Sequence, residues 1–241
     1  MKGIELCARF AIPPNSLSYC GKEGFGKVFE EYLENPCEKT ENALEQALCS
    51  FTAHYSYLEL IANANKMKPF DYGVCEAFWL GNKLLNKVKR REIARMIQEK
   101  FVGKGMLAKE KATELAKAVP KEAVPHHSFH ALYLHSITGV IAPTVKNADS
   151  CRIAWGKVLE AGDNWVEIKS QRLAEKNAKL RLEACSKRVK LSCSGIGLLQ
   201  KIKKGDFVAC HWGIAAMKIS FSQAKRLEKA TCKNVEAVNS V

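Results

Sequence analysis

The sequence predicts an α+β protein, with a mainly α-helical N-terminal domain followed by a small antiparallel β-barrel or sandwich that ends in a C-terminal helix. Three observations predict it. Apolar residues recur every three or four positions through the first 120 residues. Beyond Pro125 the texture changes to short β-branched and aromatic segments separated by Gly, Asn and Asp. After Ser220 the helical period returns, with Ala224, Leu227 and Ala230 on one face.

Taken in order, Ile12-Pro13-Pro14-Asn15-Ser16 reads as a turn-rich, rigid entry loop, and the following Tyr19-Cys20-Gly21 is a turn that can bring a thiol to an interface. Residues 24–35 carry Phe25, Val28, Phe29, Tyr32 and Leu33 at helical spacing and stop before Pro36. Thr40 offers an N-cap to a long helix reaching about residue 65, with Leu44, Leu48, Phe51, Tyr55, Leu58 and Ile61 on its apolar face. A third helix follows Pro69 with Val74, Phe78 and Leu85 inward. Residues 90–102 and 107–119 give a fourth and a fifth around Gly103-Lys104-Gly105, and the prolines at 120 and 125 stop the bundle. Expected strands cover residues 129–140, 152–159, 165–169, 179–182, 188–191 and 206–212, and Ser220 or Ser222 caps the last helix. The domain boundaries that follow are 1–124 for the helical domain, 125–150 for a histidine-rich connecting segment read as a strand added to the barrel, and 151–241 for the barrel with its helix.

Composition narrows the function. No apolar run approaches the ~18 residues of a membrane span, and the ten cysteines are scattered without the density of a disulfide scaffold, which points to reduced thiols and a cytoplasmic protein. The net charge of +13 is concentrated from Cys151 onward, where 18 Lys and Arg face 8 Asp and Glu. The runs Lys187 to Lys190 and Lys201 to Lys204 can meet phosphates, but they lack interleaved aromatics to stack on bases. Solubility or an acidic protein partner is the leading reading of this charge, and a basic RNA-binding barrel the alternative. No dinucleotide or Walker phosphate loop, no Gly-x-Ser-x-Gly elbow and no His-Glu-x-x-His is present. A metallochaperone or assembly factor is therefore a better expectation than a catalyst.

Four of the six histidines fall within ten residues, His126, His127, His130 and His135. In a strand, His126 and His130 share one face and His127 and His135 the other; in a helix, His126 and His130 stand one turn apart with His127 beside them. They are candidate metal ligands, or polar residues of a connecting strand that bond to backbone.

Two further segments carry a resemblance. Cys151-Arg152-Ile153-Ala154-Trp155-Gly156-Lys157-Val158 has the pattern of a first strand with a glycine at a bend. Lys204-Gly205-Asp206-Phe207-Val208-Ala209-Cys210-His211-Trp212-Gly213-Ile214-Ala215 precedes Ile219-Ser220 and the last helix. Together they resemble the HypC/HupF family of hydrogenase-maturation chaperones, from Cys151 to about Thr231. The match departs in its internal cysteine and in Trp155, where the family has proline. The resemblance implies an OB-like antiparallel β-barrel that holds iron bearing carbon monoxide and cyanide. Cys151 would be the iron ligand and His211 a second ligand or hydrogen-bond partner, with a HypD-like scaffold or the hydrogenase large subunit as partner. A thiolate and an imidazole suit iron and leave room for other ligands.

Overall fold

The computed structural model describes residues 1–103, 105–134 and 141–240. The chain is α+β, helices leading and strands following. Helix α1 (Gly3–Ser16) buries Ile4, Leu6, Cys7, Phe10 and Ile12 and runs through Pro13 and Pro14, so the expected entry loop is the last turn of a helix. Each proline removes one i→i−4 hydrogen bond, and the helix ends two residues after Pro14. Against α1 pack α2 (Phe25–Glu34), α3 (Glu38–Cys49) and α5 (Tyr72–Leu80), and α4 (Thr52–Asn65) packs on α3 and α5.

The single helix expected from Thr40 to about residue 65 is two. Ser50 turns its hydroxyl back to donate to the Ala47 carbonyl, 2.7 Å away, and Phe51 leaves helical geometry to pack on Phe25 and Phe29. That break makes a fresh helix N-terminus at Thr52. A 3-10 turn (Lys83–Lys87), α6 (Arg90–Met96) with a wide continuation over Ile97–Phe101, and α7 (Lys109–Lys117) complete the helical part.

The segment 125–150 corrects the expected connecting strand. It contains two helices, α8 (His127–Tyr133) and α9 (Val145–Cys151), and His135 lies outside the described residues. The reason is a cap: the His126 ring accepts the Ser128 N–H at 3.1 Å and starts a helix, which then packs against the last helix of the chain. Cys151 accordingly ends a helix, and the strand expected from 152 begins at Ala154.

The strands are β1 (Ala154–Ala161), β2 (Trp165–Lys176), β3 (Lys179–Lys190), the two-residue β4 (Ser192–Cys193) and β5 (Ile196–Gly197), β6 (Phe207–His211) and β7 (Ile214–Ile219). The two short strands expected over 179–191 are one. Five strands close on themselves in the order β1-β2-β3-β7-β6. The sheet is mixed, because β3 and β7 meet in parallel at Lys190 and Ile214 while the other pairs run antiparallel. Gly156 is needed for space: a Cβ there would lie 2.6 Å from the Lys169 carbonyl and 2.9 Å from Ile168. Helix α10 (Phe221–Val238) starts at Ser220, which accepts from the Gln223 N–H while the Gln223 side chain accepts from the Ser220 N–H.

The helical and β parts share one core. A continuous apolar cluster runs from Ile4, Phe10 and Phe78 through Ile153 and Trp155 to Ala209, Met217 and Leu227. Among the described residues, no helix is long and apolar enough to cross a membrane.

Candidate metal centre

Three chain segments converge on one point of that shared core. His127 is the first residue of α8, Cys151 the last of α9 and His211 the last of β6. Their ligand-type atoms all lie within 4.8 Å of one another, and all three residues are buried. An ion with nitrogen bonds near 2.05 Å and a sulfur bond near 2.3 Å requires roughly 3.3–3.8 Å between ligand atoms, so small side-chain adjustments suffice.

Each candidate ligand is held from behind. His211 Nδ1–H donates to the Phe10 carbonyl of α1 at 2.6 Å, which fixes the tautomer and leaves Nε2, buried and without a hydrogen bond, free to donate a lone pair. The His127 ring stacks on Trp79 at 4.7 Å and stands edge-on to His211 at 5.0 Å, and its Nδ1 is likewise buried without a partner. Cys151 is placed by its neighbours. The Ser150 carbonyl accepts from the Trp212 N–H at 3.0 Å, tying α9 to the turn after His211. Asp149 Oδ1 accepts from Arg152 Nε at 2.9 Å and from the Leu173 N–H at 2.7 Å, and Arg152 NH2 donates to the Gln171 carbonyl at 2.5 Å.

The electrostatics favour neutral imidazoles. Burial pushes the His211 pKa down to about 4, against the backbones of Phe10 and Cys151, which raise it. Burial, and then the neighbouring His211, push His127 well below the usual histidine range. Burial raises the Cys151 thiol well above its ordinary value, with Cys20 adding to the effect. The donor set without a cation is thus two neutral imidazoles and a thiol. Unpartnered buried nitrogens normally cost stability, and a cation that binds both would satisfy them. The residues fit a borderline transition metal such as iron or zinc.

The sequence-derived candidates separate here. Cys151, His211 and His127 come together. His130 lines the same cavity, its ring 6.2 Å from that of His127 and edge-on to Tyr57, outside the three-residue cluster. His126 is not in the cluster: its Nδ1 caps α8 and its Nε2–H donates to the Trp79 carbonyl at 3.3 Å, so both nitrogens are spent on backbone. The expected face shared by His126 and His130 is therefore not the one that meets Cys151. A helix turns its first residue, His127, to the β6 side.

In front of the three residues opens a cavity of about 230 Å³, walled by Phe51, Phe78, Trp79 and Met106 and reached by Cys20 and His54. Sequence reasoning put the Cys20 thiol at a turn, and that turn faces the cavity; burial raises its pKa to about 11. His54 and Trp79 carried no signal. Each is a single residue on an apolar helical face, and only the break at Ser50 and Phe51 turns the start of α4 inward.

A family model described as "Family of unknown function (DUF6390)" matches residues 1–241. No curated protein and no solved structure matches the chain.

Proposed function

We propose that this chain, which belongs to the DUF6390 family, is a metalloenzyme-maturation factor that carries an iron species on His127, Cys151 and His211. The observation that carries the reading is the meeting of Cys151 and His211, the two residues paired by the resemblance to the HypC/HupF chaperones, in one buried cluster 60 residues apart in sequence. His127 adds a third ligand that the resemblance does not supply.

The closed order of β1, β2, β3, β7 and β6 supports reading the β part as an OB-like barrel. In the reading proposed here the helical domain covers the cysteine, which accounts for its internal position. Three protein ligands leave coordination positions toward the cavity for carbon monoxide or cyanide on the cargo iron. The client is a hydrogenase large subunit, reached directly or through a HypD-like scaffold, in a cytoplasmic setting. The basic RNA-binding alternative gains no support from Trp165, one face of whose ring is already covered by the Arg188 guanidinium at 3.8 Å.

The experiment is anaerobic purification from a host that makes hydrogenase, with iron analysis and an infrared spectrum. The reading predicts about one iron per chain, with cyanide or carbonyl stretches that vanish in Cys151→Ala. Iron-free protein without such stretches counts against it.

A further inference from the structure

Away from the metal cluster, α10 forms one wall of a second groove. The helix packs on α5, and Arg226 fixes the join: its guanidinium donates to the Gly81 carbonyl at 3.2 Å and to Glu76 Oε1 at 2.9 Å. The groove beside it has a volume of about 230 Å³. Leu85, Val124 and Ala230 give it an apolar floor, Lys229 and Lys233 line it from α10, and Lys83 lines it from the 3-10 turn.

Its charge is one-sided. Among the described residues no acidic side chain lines the groove, and Lys83, Lys229 and Lys233 make no ion pair. The same helix balances its charges elsewhere, since Lys225 pairs with Glu228 at 2.8 Å. Lys229 and Lys233 instead stand one turn apart as like charges, an arrangement that weakens a helix. A concave surface with cations of one sign focuses its field outward on an anionic partner.

The chain that leaves the groove at Lys83 carries this field further. It runs on to a shallower depression lined by Lys89, Arg91 and Lys117, in which Glu99 is the single acid among the described residues. Arg90 lines it too, but its guanidinium is occupied by the Val119 and Lys117 carbonyls at 2.5 and 2.9 Å. Residues 1–150 hold 20 Lys and Arg against 17 Asp and Glu, so the excess here comes from placement and not from composition.

We propose that the groove between α10 and the 3-10 turn docks an amphipathic acidic helix of a partner protein. Two carboxylates one turn apart on that helix would meet Lys229 and Lys233, and an apolar side chain would enter against Leu85, Val124 and Ala230. Helix-in-groove recognition uses this combination of apolar anchors and flanking charge. A nucleic-acid strand fits less well: neither depression has an aromatic side chain for base stacking, and a phosphate backbone has no use for the apolar floor. The inference stands apart from the metal reading, because no candidate ligand takes part.

The test uses the full chain and a fluorescein-labelled helical peptide of Glu, Ala and Leu, its glutamates spaced i, i+4 and its leucines along one face. Fluorescence anisotropy is read at low and high salt. The peptide is expected to bind, more weakly as salt rises. In Lys229→Glu/Lys233→Glu its affinity should fall about tenfold or more. Lys83→Glu, on the opposite wall, should act in the same direction, and Lys201→Glu/Lys203→Glu should change nothing. All these variants are expected to keep the wild-type melting temperature. The proposal is overturned if the groove variants bind the peptide as the wild type does, or if the Lys201 and Lys203 variant loses as much affinity as they do. It is also overturned if a copy of the peptide with its leucines replaced by Gln binds as tightly as the parent, which would leave charge alone. A short RNA duplex that binds more tightly than the peptide, and is lost in the same groove variants, would overturn it in favour of a nucleic-acid site.

Discussion

His211 donates its Nδ1 proton to the carbonyl of Phe10, 201 positions earlier, and this 2.6 Å bond joins the last residue of β6 to the middle of α1. It ties the helical part and the β part together at the proposed metal centre. Because it occupies Nδ1, it leaves Nε2 as the nitrogen that can bind a cation. The site is thus assembled by the whole fold and belongs to neither half alone.

Cys151 is a thiol when no metal is bound, because burial raises its pKa well above the ordinary value, whereas burial keeps His127 and His211 neutral. Metal binding at neutral pH should therefore release about one proton per ion, from sulfur alone, and affinity should rise with pH accordingly. Calorimetry in buffers of different ionisation enthalpy reads this number. Release of no proton would remove Cys151 from the ligand set.

Asp149 holds both Arg152 and the β2 backbone, and Arg152 is fully buried. Asp149→Ala strands a buried guanidinium next to Cys151, the proposed ligand. It is expected to cost about 3–5 kcal/mol, roughly 6–20 °C in melting temperature for a chain of this size, and to weaken metal uptake. Thermal unfolding and a metal titration of the variant check both.

His126 and His211 have pKa values of about 4 in the fold, pushed down mainly by burial, against about 6.5 unfolded. The unfolded chain therefore takes up protons below about pH 6.5 that the native state refuses. Stability from this source is complete above that pH and declines as pH falls toward 4, by on the order of 3 kcal/mol for each ring. Urea midpoints of the metal-free protein at about pH 7 and about pH 5 measure it, and equal midpoints would contradict buried neutral rings.

Gly21 sits at φ +82° beside the cavity, and a Cβ there would come within 2.1 Å of the Phe51 ring. Gly21→Ala should displace Phe51 from the cavity wall and lower stability by about 1–3 kcal/mol. Chemical denaturation gives the stability, and a normal cavity in a crystal structure of the variant would refute the role assigned to Phe51.

Much of this was legible in the chain. The periodicities locate most of the helices, and the resemblance pairs Cys151 with His211. The histidine cluster was visible, but which histidine joins them was not, because the segment's shape turns on one local bond between the His126 ring and the Ser128 N–H. Over the described residues 129–134, a period-2 reading competed with that cap and lost. The break at Ser50 was hidden for the same reason, since a side-chain hydroxyl folded onto its own helix leaves the apolar spacing intact on either side. Phe10 is unreadable as a functional residue, because it acts through its carbonyl.

The most direct test of the central claim is an anaerobic iron(II) or cobalt(II) titration of the wild type beside Cys151→Ala, His211→Ala and His127→Ala. One ion per wild-type chain is predicted, with a sulfur-to-cobalt charge-transfer band that disappears in Cys151→Ala and affinity sharply reduced in both histidine variants. Uptake that is the same in all four proteins would contradict the account.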